Sequence, residues 1–225
     1  MLFSTTLNPL DIADIYMNYI KIDYTSSTRF LGVIIDDKLK FNLHINEITK
    51  KISKNTGVLY RLRQYVPNKT LLAVYRSIIE SHISYCNLIF GNACVTHLSP
   101  LEIAQKKAVR IVANEPPLSH SNQIFINLNL LKLHDHYNYN LGIYMRKNIE
   151  IFAQNFRINL NNTLSGNHYE PSFQRIDMTL NKSIMFQAPK NWEKIPIPIR
   201  NSRSLNSFKR GYKTFLLSFY HRVDQ

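Results

Sequence analysis

Residues 44–63 read HINEITKKISKNTGVLYRLR, and the reading of this stretch decides the fold. Ile45, Ile48, Ile52, Leu59 and Leu62 recur at helical spacing, which lines them along one stripe. At about 1.5 Å of rise per residue the stretch predicts a helix about 30 Å long. Lys50, Lys54 and Arg61 fall in a narrow arc on the opposite side, with Lys51 beside them. The helix thus has an apolar back for a core and a basic front for solvent. Most basic helix faces do no more than keep a helix hydrated, so a lone face of this kind says little.

A second helix of the same build raises its weight. Residues 101–114, LEIAQKKAVRIVAN, gather Leu101, Ala104, Ala108, Ile111 and Val112 on one face and set Lys106, Lys107 and Arg110 opposite. Ser99-Pro100 reads as its N-cap and first helical residue. Between the two helices, Val66-Pro67-Asn68 stops the first. Residues 68–86, NKTLLAVYRSIIESHISYC, then predict a helix with Leu71, Tyr75, Ile78, His82 and Tyr85 along one side.

Upstream, Ile15–Asp23 and Arg29–Asp36 are rich in β-branched and aromatic residues and predict one antiparallel strand pair, the second strand buried. Leu2-Phe3 reads as a strand end, and a Met start so close to it suggests a sheet that has lost earlier partners. Downstream, Glu115–Ser121 (EPPLSHS) is the candidate boundary. Residues 124–148 predict two short helices, and the Asn-rich 155–167 an exposed loop. Residues 168–190 carry strand-like pieces ending at Ala188-Pro189, and Trp192 with IPIPIR (195–200) predicts extended chain. Ser204 caps a last helix whose Leu205, Phe208, Tyr212, Phe215 and Phe219 form a core-facing stripe.

These elements make an α+β chain, mostly α. Short N-terminal antiparallel strands (1–43) precede a helical bundle (44–115), and a mixed helical and extended tail (116–225) ends in an amphipathic helix. The 28 Lys and Arg against 15 Asp and Glu give a net charge of +13, unevenly placed. Residues 1–43 hold four basic against five acidic side chains, residues 44–115 ten against four, and residues 116–225 fourteen against six. A polyanion is the natural partner, nucleic acid the commonest. The only cysteines, Cys86 and Cys94, lack zinc spacing and fit a reducing compartment. A signal peptide and a bilayer-length apolar run are both absent, so the expectation is a soluble intracellular protein with no membrane partner, nucleus or cytoplasm unresolved.

Three constellations invite a catalytic reading. Asp36-Asp37 follows an apolar strand, as a metal-holding pair would, but fits a strand end and turn better. His134-Asp135-His136 places its histidines at i and i+2, which diverge on a helix, and reads as a polar junction. His82 reads as a core histidine. No Gly-rich phosphate loop and no Gly-x-Ser-x-Gly occurs. The expectation is no catalytic residue, no metal ligand and no cofactor in this chain.

Several words in fixed order carry a resemblance. They are Met1-Leu2-Phe3-Ser4; Arg29–Asp36 (RFLGVIID) with Leu39; His44-Ile45; Tyr85-Cys86; Phe90-Gly91; and Gln105–Ile111 (QKKAVRI). Pro189-Lys190-Asn191-Trp192, Ile195-Pro196, Ile199-Arg200, Ser204-Leu205 and Phe208-Lys209 complete them. Together they resemble the C-terminal part of reverse transcriptases of non-LTR (LINE-type, jockey/RTE-like) retrotransposons. The resemblance implies that residues 1–43 are the edge of the polymerase palm and 44–115 a thumb-like domain, with 116–225 a C-terminal extension. It also implies that the family's Mg²⁺-binding aspartates lie upstream, so that Mg²⁺ belongs to a full-length member only.

The function expected is therefore that of a reverse transcriptase (RNA-directed DNA polymerase) fragment that grips a template–primer RNA/DNA duplex. Lys50, Lys54, Arg61, Lys106, Lys107 and Arg110 would meet its phosphates, and the full-length element protein is a further partner. The alternative is a decayed open reading frame, or a helical protein-interaction module, whose positive surface is idle.

Overall fold

The computed structural model describes residues 14–159, 168–171 and 182–224. Its longest helix, α1, runs Asn42–Leu62 and buries Ile45, Ile48, Ile52 and Leu59. Against it packs α5 (Val95–Ala113), which contributes Leu101, Ala104, Ala108, Val109 and Val112 to the same core. Between them in sequence come α2 (Asn68–Tyr75), a π turn (Arg76–Glu80), α3 (Ser81–Ser84) and α4 (Asn87–Phe90). The described residues are mostly helical with short antiparallel strand pairs, as the sequence reading expects of an α+β, mostly α chain.

The π turn changes which residues meet the core. The buried side chains are Leu71, Tyr75, Ile79 and Ile83, while Ile78 and His82 are half-exposed and Tyr85 is exposed. Steps of four residues drift about 40° each around an α-helix. One wider turn takes up that drift and keeps the four in line. The predicted face of Ile78, His82 and Tyr85 is correct only for an unbroken α-helix, and His82 is not a core histidine.

The N-terminal strands also differ from expectation. The stretches expected to pair with each other each fold back on themselves: β1 (Tyr16–Met17) pairs with β2 (Ile20–Lys21), and β3 (Ser27–Phe30) with β4 (Val33–Asp36). Asn18 and Tyr19, then Leu31 and Gly32, all have positive φ, as a two-residue hairpin turn requires. Only the second half of RFLGVIID is covered: Val33 is buried, whereas Phe30 and Leu31 are exposed. The second hairpin is tied down by Arg29–Glu47 (2.6 Å) and by the Tyr85 hydroxyl donating to the Leu31 carbonyl (2.6 Å).

Past α5, α6 (Ser121–Asn127) still packs on the first core through Ile124 and Phe125. A second core forms between α7 (Leu133–Lys147), α8 (Ile149–Asn155), α9 (Ile184–Glu193) and α11 (Leu205–Ser218), with a single turn α10 (Ile197–Arg200) before the last. Strands β5 (Phe156–Asn159) and β6 (His168–Pro171) pair beside it, and the chain closes with a 3₁₀ segment, Phe219–Asp224. Tyr137, Leu141, Met145, Trp192, Phe208 and Tyr212 fill this second core. Gly142 lets α7 meet α11: a Cβ there would stand 2.5 Å from the Tyr212 ring. Ser204 caps α11 as expected, its hydroxyl accepting from the Ser207 amide at 3.1 Å.

Proline misleads at three places. α5 starts at Val95, so Pro100 lies inside it rather than at its first position; Pro189 lies inside α9; and IPIPIR contains a helical turn rather than extended chain alone. Trp192, expected in extended chain, is helical and buried. Leu2-Phe3, most of the Asn-rich loop and residues 172–181 of the strand-like stretch lie outside the described residues.

Candidate nucleic-acid interface

The apolar stripe of α1 fixes the direction of everything else on that helix. With Ile45, Ile48, Ile52 and Leu59 turned into the core, Lys50, Lys54 and Arg61 are exposed on the far side. Among the described residues none of the three makes an ion pair. From Lys50 to Arg61 they extend about 16 Å along the axis. The one acid on α1, Glu47, sits to the side and is bound by Arg29 at 2.6 Å and Lys51 at 2.8 Å. Hydrogen bonds from these two cations hold its carboxyl near 2, well below the usual range. Lys51, which looked like a companion of the basic arc, is thereby neutralised. Tyr60 stands beside Arg61 with the Arg63 guanidinium 4.2 Å over its ring.

The basic face of α5 is weaker than its sequence suggests. Lys106 lies 2.6 Å from Glu102, one turn back on the same helix. Arg110 is half-buried and donates its Nε to the Ser119 carbonyl at 2.9 Å, pinning the loop that follows α5. Lys107 alone of the three is exposed and makes no ion pair among the described residues. The faces of α1 and α5 each stand opposite the seam their helices share, so the six side chains are not one surface. They form a trio on α1 and a single free lysine on α5.

Asp36 has a job in the backbone. Its carboxylate accepts from the amides of Lys38 (3.2 Å), Lys40 (3.0 Å) and Phe41 (2.6 Å), holding the turn that leads into α1. Both oxygens are occupied, which does not fit a pair held ready for a metal ion. In the His134-Asp135-His136 run the histidines do diverge: His134 is exposed and His136 buried. His136 Nε2 lies 3.2 Å from Ser84 Oγ and 3.6 Å from Glu80 Oε1. Hydroxyl and carboxylate crowd the same nitrogen, so there is no chain from nucleophile through base to orienting acid. Burial pushes the Glu80 carboxyl up, but His136, Lys213 and Arg76 outweigh it and hold the group below its ordinary value. Asp135 accepts from the Tyr220 hydroxyl at 2.5 Å. Among the described residues no three His, Cys, Asp or Glu side chains gather as a metal site, and no helix is long and apolar enough to cross a membrane.

Gln105 is the residue sequence reasoning passed over. It is buried, donates to the Leu131 carbonyl at 2.9 Å and accepts from the Leu133 amide at 2.9 Å. Its spacing, four residues after Leu101 and three before Ala108, places it on the apolar face of α5, a signal that helical periodicity does carry.

Comparison with known proteins gives partial matches of one kind. The chain is 24% identical over 101 residues to the probable RNA-directed DNA polymerase from transposon X-element of Drosophila melanogaster, covering 44% of this chain and 11% of that protein. It is 25% identical over 130 residues to the RNA-directed DNA polymerase from mobile element jockey of Drosophila funebris, covering 56% and 14%. For the jockey polymerase of Drosophila melanogaster the identity is 26% over 117 residues, covering 51% and 13%. The chain thus spans between 11 and 14% of the length of the curated relatives it matches. These matches relate it to the RNA-directed DNA polymerases of retroelements. No family model and no solved structure matches it.

Proposed function

We propose that this chain is part of a retroelement reverse transcriptase and that it grips the template–primer duplex through the outer face of α1. One observation carries the reading: three exposed cations, Lys50, Lys54 and Arg61, share one face of a helix whose single acid, Glu47, is already paired. The named activity of the similar proteins supplies the polyanion, since an RNA-directed DNA polymerase handles an RNA–DNA hybrid. Residues 1–43 would be palm edge, residues 44–115 thumb and the remainder an extension. Polymerisation would rest on aspartates other than Asp36-Asp37, because the Asp36 carboxylate is taken by three amides.

Phosphate contacts from Lys and Arg position a duplex without reading its sequence. A-form geometry offers a wide, shallow minor groove flanked by phosphates, and a straight helix can lie along it. Three free cations, the α1 trio, give a log K against log salt slope of about −3. Lys106 and Arg110 belong to internal contacts and add little. The test is binding of a labelled RNA–DNA hybrid across a salt series. Changing Lys50, Lys54 and Arg61 to Ala should remove about two to three units of slope, whereas Lys107→Ala, on the separate face of α5, should change it little. A hybrid should also outcompete heparin at equal charge. A slope near zero, or a triple variant that binds as tightly as the parent, refutes the proposal.

A further inference from the structure

Three side-chain ties hold the β3–β4 hairpin on the helical bundle. Two are the pair of Arg29 with Glu47 and the hydrogen bond from the Tyr85 hydroxyl to the Leu31 carbonyl. The third is His44, whose Nδ1 stands 3.4 Å from the Ile34 amide. The register of the hairpin explains why that amide looks outward. Asp37 donates to the Ser26 carbonyl at 2.9 Å, and bonded pairs in an antiparallel ladder alternate. Thr28–Ile35 and Phe30–Val33 are therefore the next bonded pairs, and Arg29–Ile34 is not one. The Ile34 amide thus points away from β3, and the imidazole on α1 is its acceptor.

This bond fixes the protonation of the ring. An acceptor at Nδ1 puts the proton of the neutral imidazole on Nε2. Nε2 is buried with no partner among the described residues, and the ring stands edge-on to Phe90 with centroids 5.2 Å apart. A second proton would set N–H against N–H across 3.4 Å and place a charge in that apolar seat. The charged groups around the ring are Arg29 from β3, Glu47 and Lys51 from α1, and Asp36 at the end of β4, which is spent on three amides; α4 carries none. Burial, joined by Lys51 and Arg29, outweighs Glu47 and holds the imidazole below its ordinary 6.5. The other two ties do not titrate nearby. Hydrogen bonds from Arg29 and Lys51 hold Glu47 near 2, and the adjacent Cys86 side chain raises Tyr85 above its ordinary 10.

We infer that His44 is an acid-sensitive latch between the hairpin and the bundle: the neutral ring seats β4 on α1, and protonation releases it while the α1–α5 core stays folded. Once the hairpin opens, water reaches the ring, which then takes up a proton at its ordinary pH; the seated ring resists it. Seating is therefore complete above about pH 6.5 and is lost as the pH falls below that value. The latch works on the free chain and needs no duplex.

The experiment follows amide exchange of the full chain at about pH 7.5 and about pH 5, corrected for the intrinsic effect of pH, together with the NMR titration of the His44 ring. Protection of the Ile34 amide should fall about tenfold between the two conditions, while Ile52, in the α1–α5 core, keeps its own. His44→Asn retains an acceptor at the same branch of the side chain and cannot titrate, so Ile34 should be equally protected at both. His44→Leu offers no acceptor and should lower protection at both, again without a step. Glu47→Gln cuts the Arg29 tie and should lower protection at both but keep the step. The ring of the parent should titrate below 6.5. A parent without the step, a step that survives in either His44 variant, or an equal loss at Ile52 overturns the latch. So does an Ile34 amide as protected in His44→Leu as in the parent at the higher pH, or a ring that titrates at or above 6.5.

Discussion

Replacing Gln105 with Leu should loosen the join between the two cores. The side chain is 1% exposed and satisfies two backbone groups of the segment entering α7, the Leu131 carbonyl and the Leu133 amide, both at 2.9 Å. Leu131 and Leu133 are themselves buried, so water cannot replace the lost partner. An unsatisfied buried group costs about 1–3 kcal/mol, and two give about 2–6. Leu has nearly the volume of Gln and removes a buried amide, which offsets part of that and leaves about 2–4 kcal/mol. Trp192, the sole tryptophan, lies in the second core and reports its unfolding by fluorescence in urea. With a slope of about 2 kcal/mol/M the midpoint should fall by about 1–2 M. Exchange of the Leu133 amide should also accelerate. A variant within about 0.5 kcal/mol of the parent, the ordinary range for a surface change, would show that these bonds do not hold the join.

Other perturbations test separate parts of the same structure. Asp36→Ala strips three amides of their acceptor at the entry to α1 and should cost about 2–5 kcal/mol in urea unfolding, with Asp36→Asn intermediate. Gly142→Ala drives a Cβ to 2.5 Å from the Tyr212 ring and should cost about 1–3 kcal/mol, read from Trp192 fluorescence. Glu47 gives a pH signature. Its carboxyl is depressed from 4.5 to about 2 by Arg29 and Lys51, so its contribution is present above pH 4.5 and lost as pH falls toward 2. The parent should lose stability through that window more steeply than Glu47→Gln, by a small margin that salt reduces.

Helical spacing made α1 and the greater part of α5 legible, and with them the direction of Lys50, Lys54, Arg61 and Lys107. Most of what stayed hidden depended on features with no periodic trace. Leu31-Gly32 reads as the middle of a strand, yet two left-handed residues there turn the chain back. The π turn at Arg76–Glu80 shifts the core register from Ile78 and His82 to Ile79 and Ile83, which only the backbone reveals. Prolines at 100 and 189 each sit at the sixth residue of a helix, where packing outweighs the missing amide bond. Gln105, Lys106 and Arg110 look alike as polar residues on one helix. Yet one is buried among backbone groups, one pairs with Glu102 and one clasps a loop.

That sorting of α5 bears on how a duplex would be held. Had all six cations been free, two outward faces on separate sides of the bundle would compete for one polyanion, or each take its own. With Lys106 and Arg110 engaged internally, three of the four candidate cations left free lie on α1, along about 16 Å of one straight helix. A surface that narrow contacts a single groove and the phosphates at its margins. It should therefore distinguish duplex shapes rather than sequences. A B-form DNA duplex of equal length and charge offers a narrower minor groove to the same helix, so the parent should prefer the RNA–DNA hybrid at every salt concentration. Equal affinity for the two forms would mean that α1 registers charge alone.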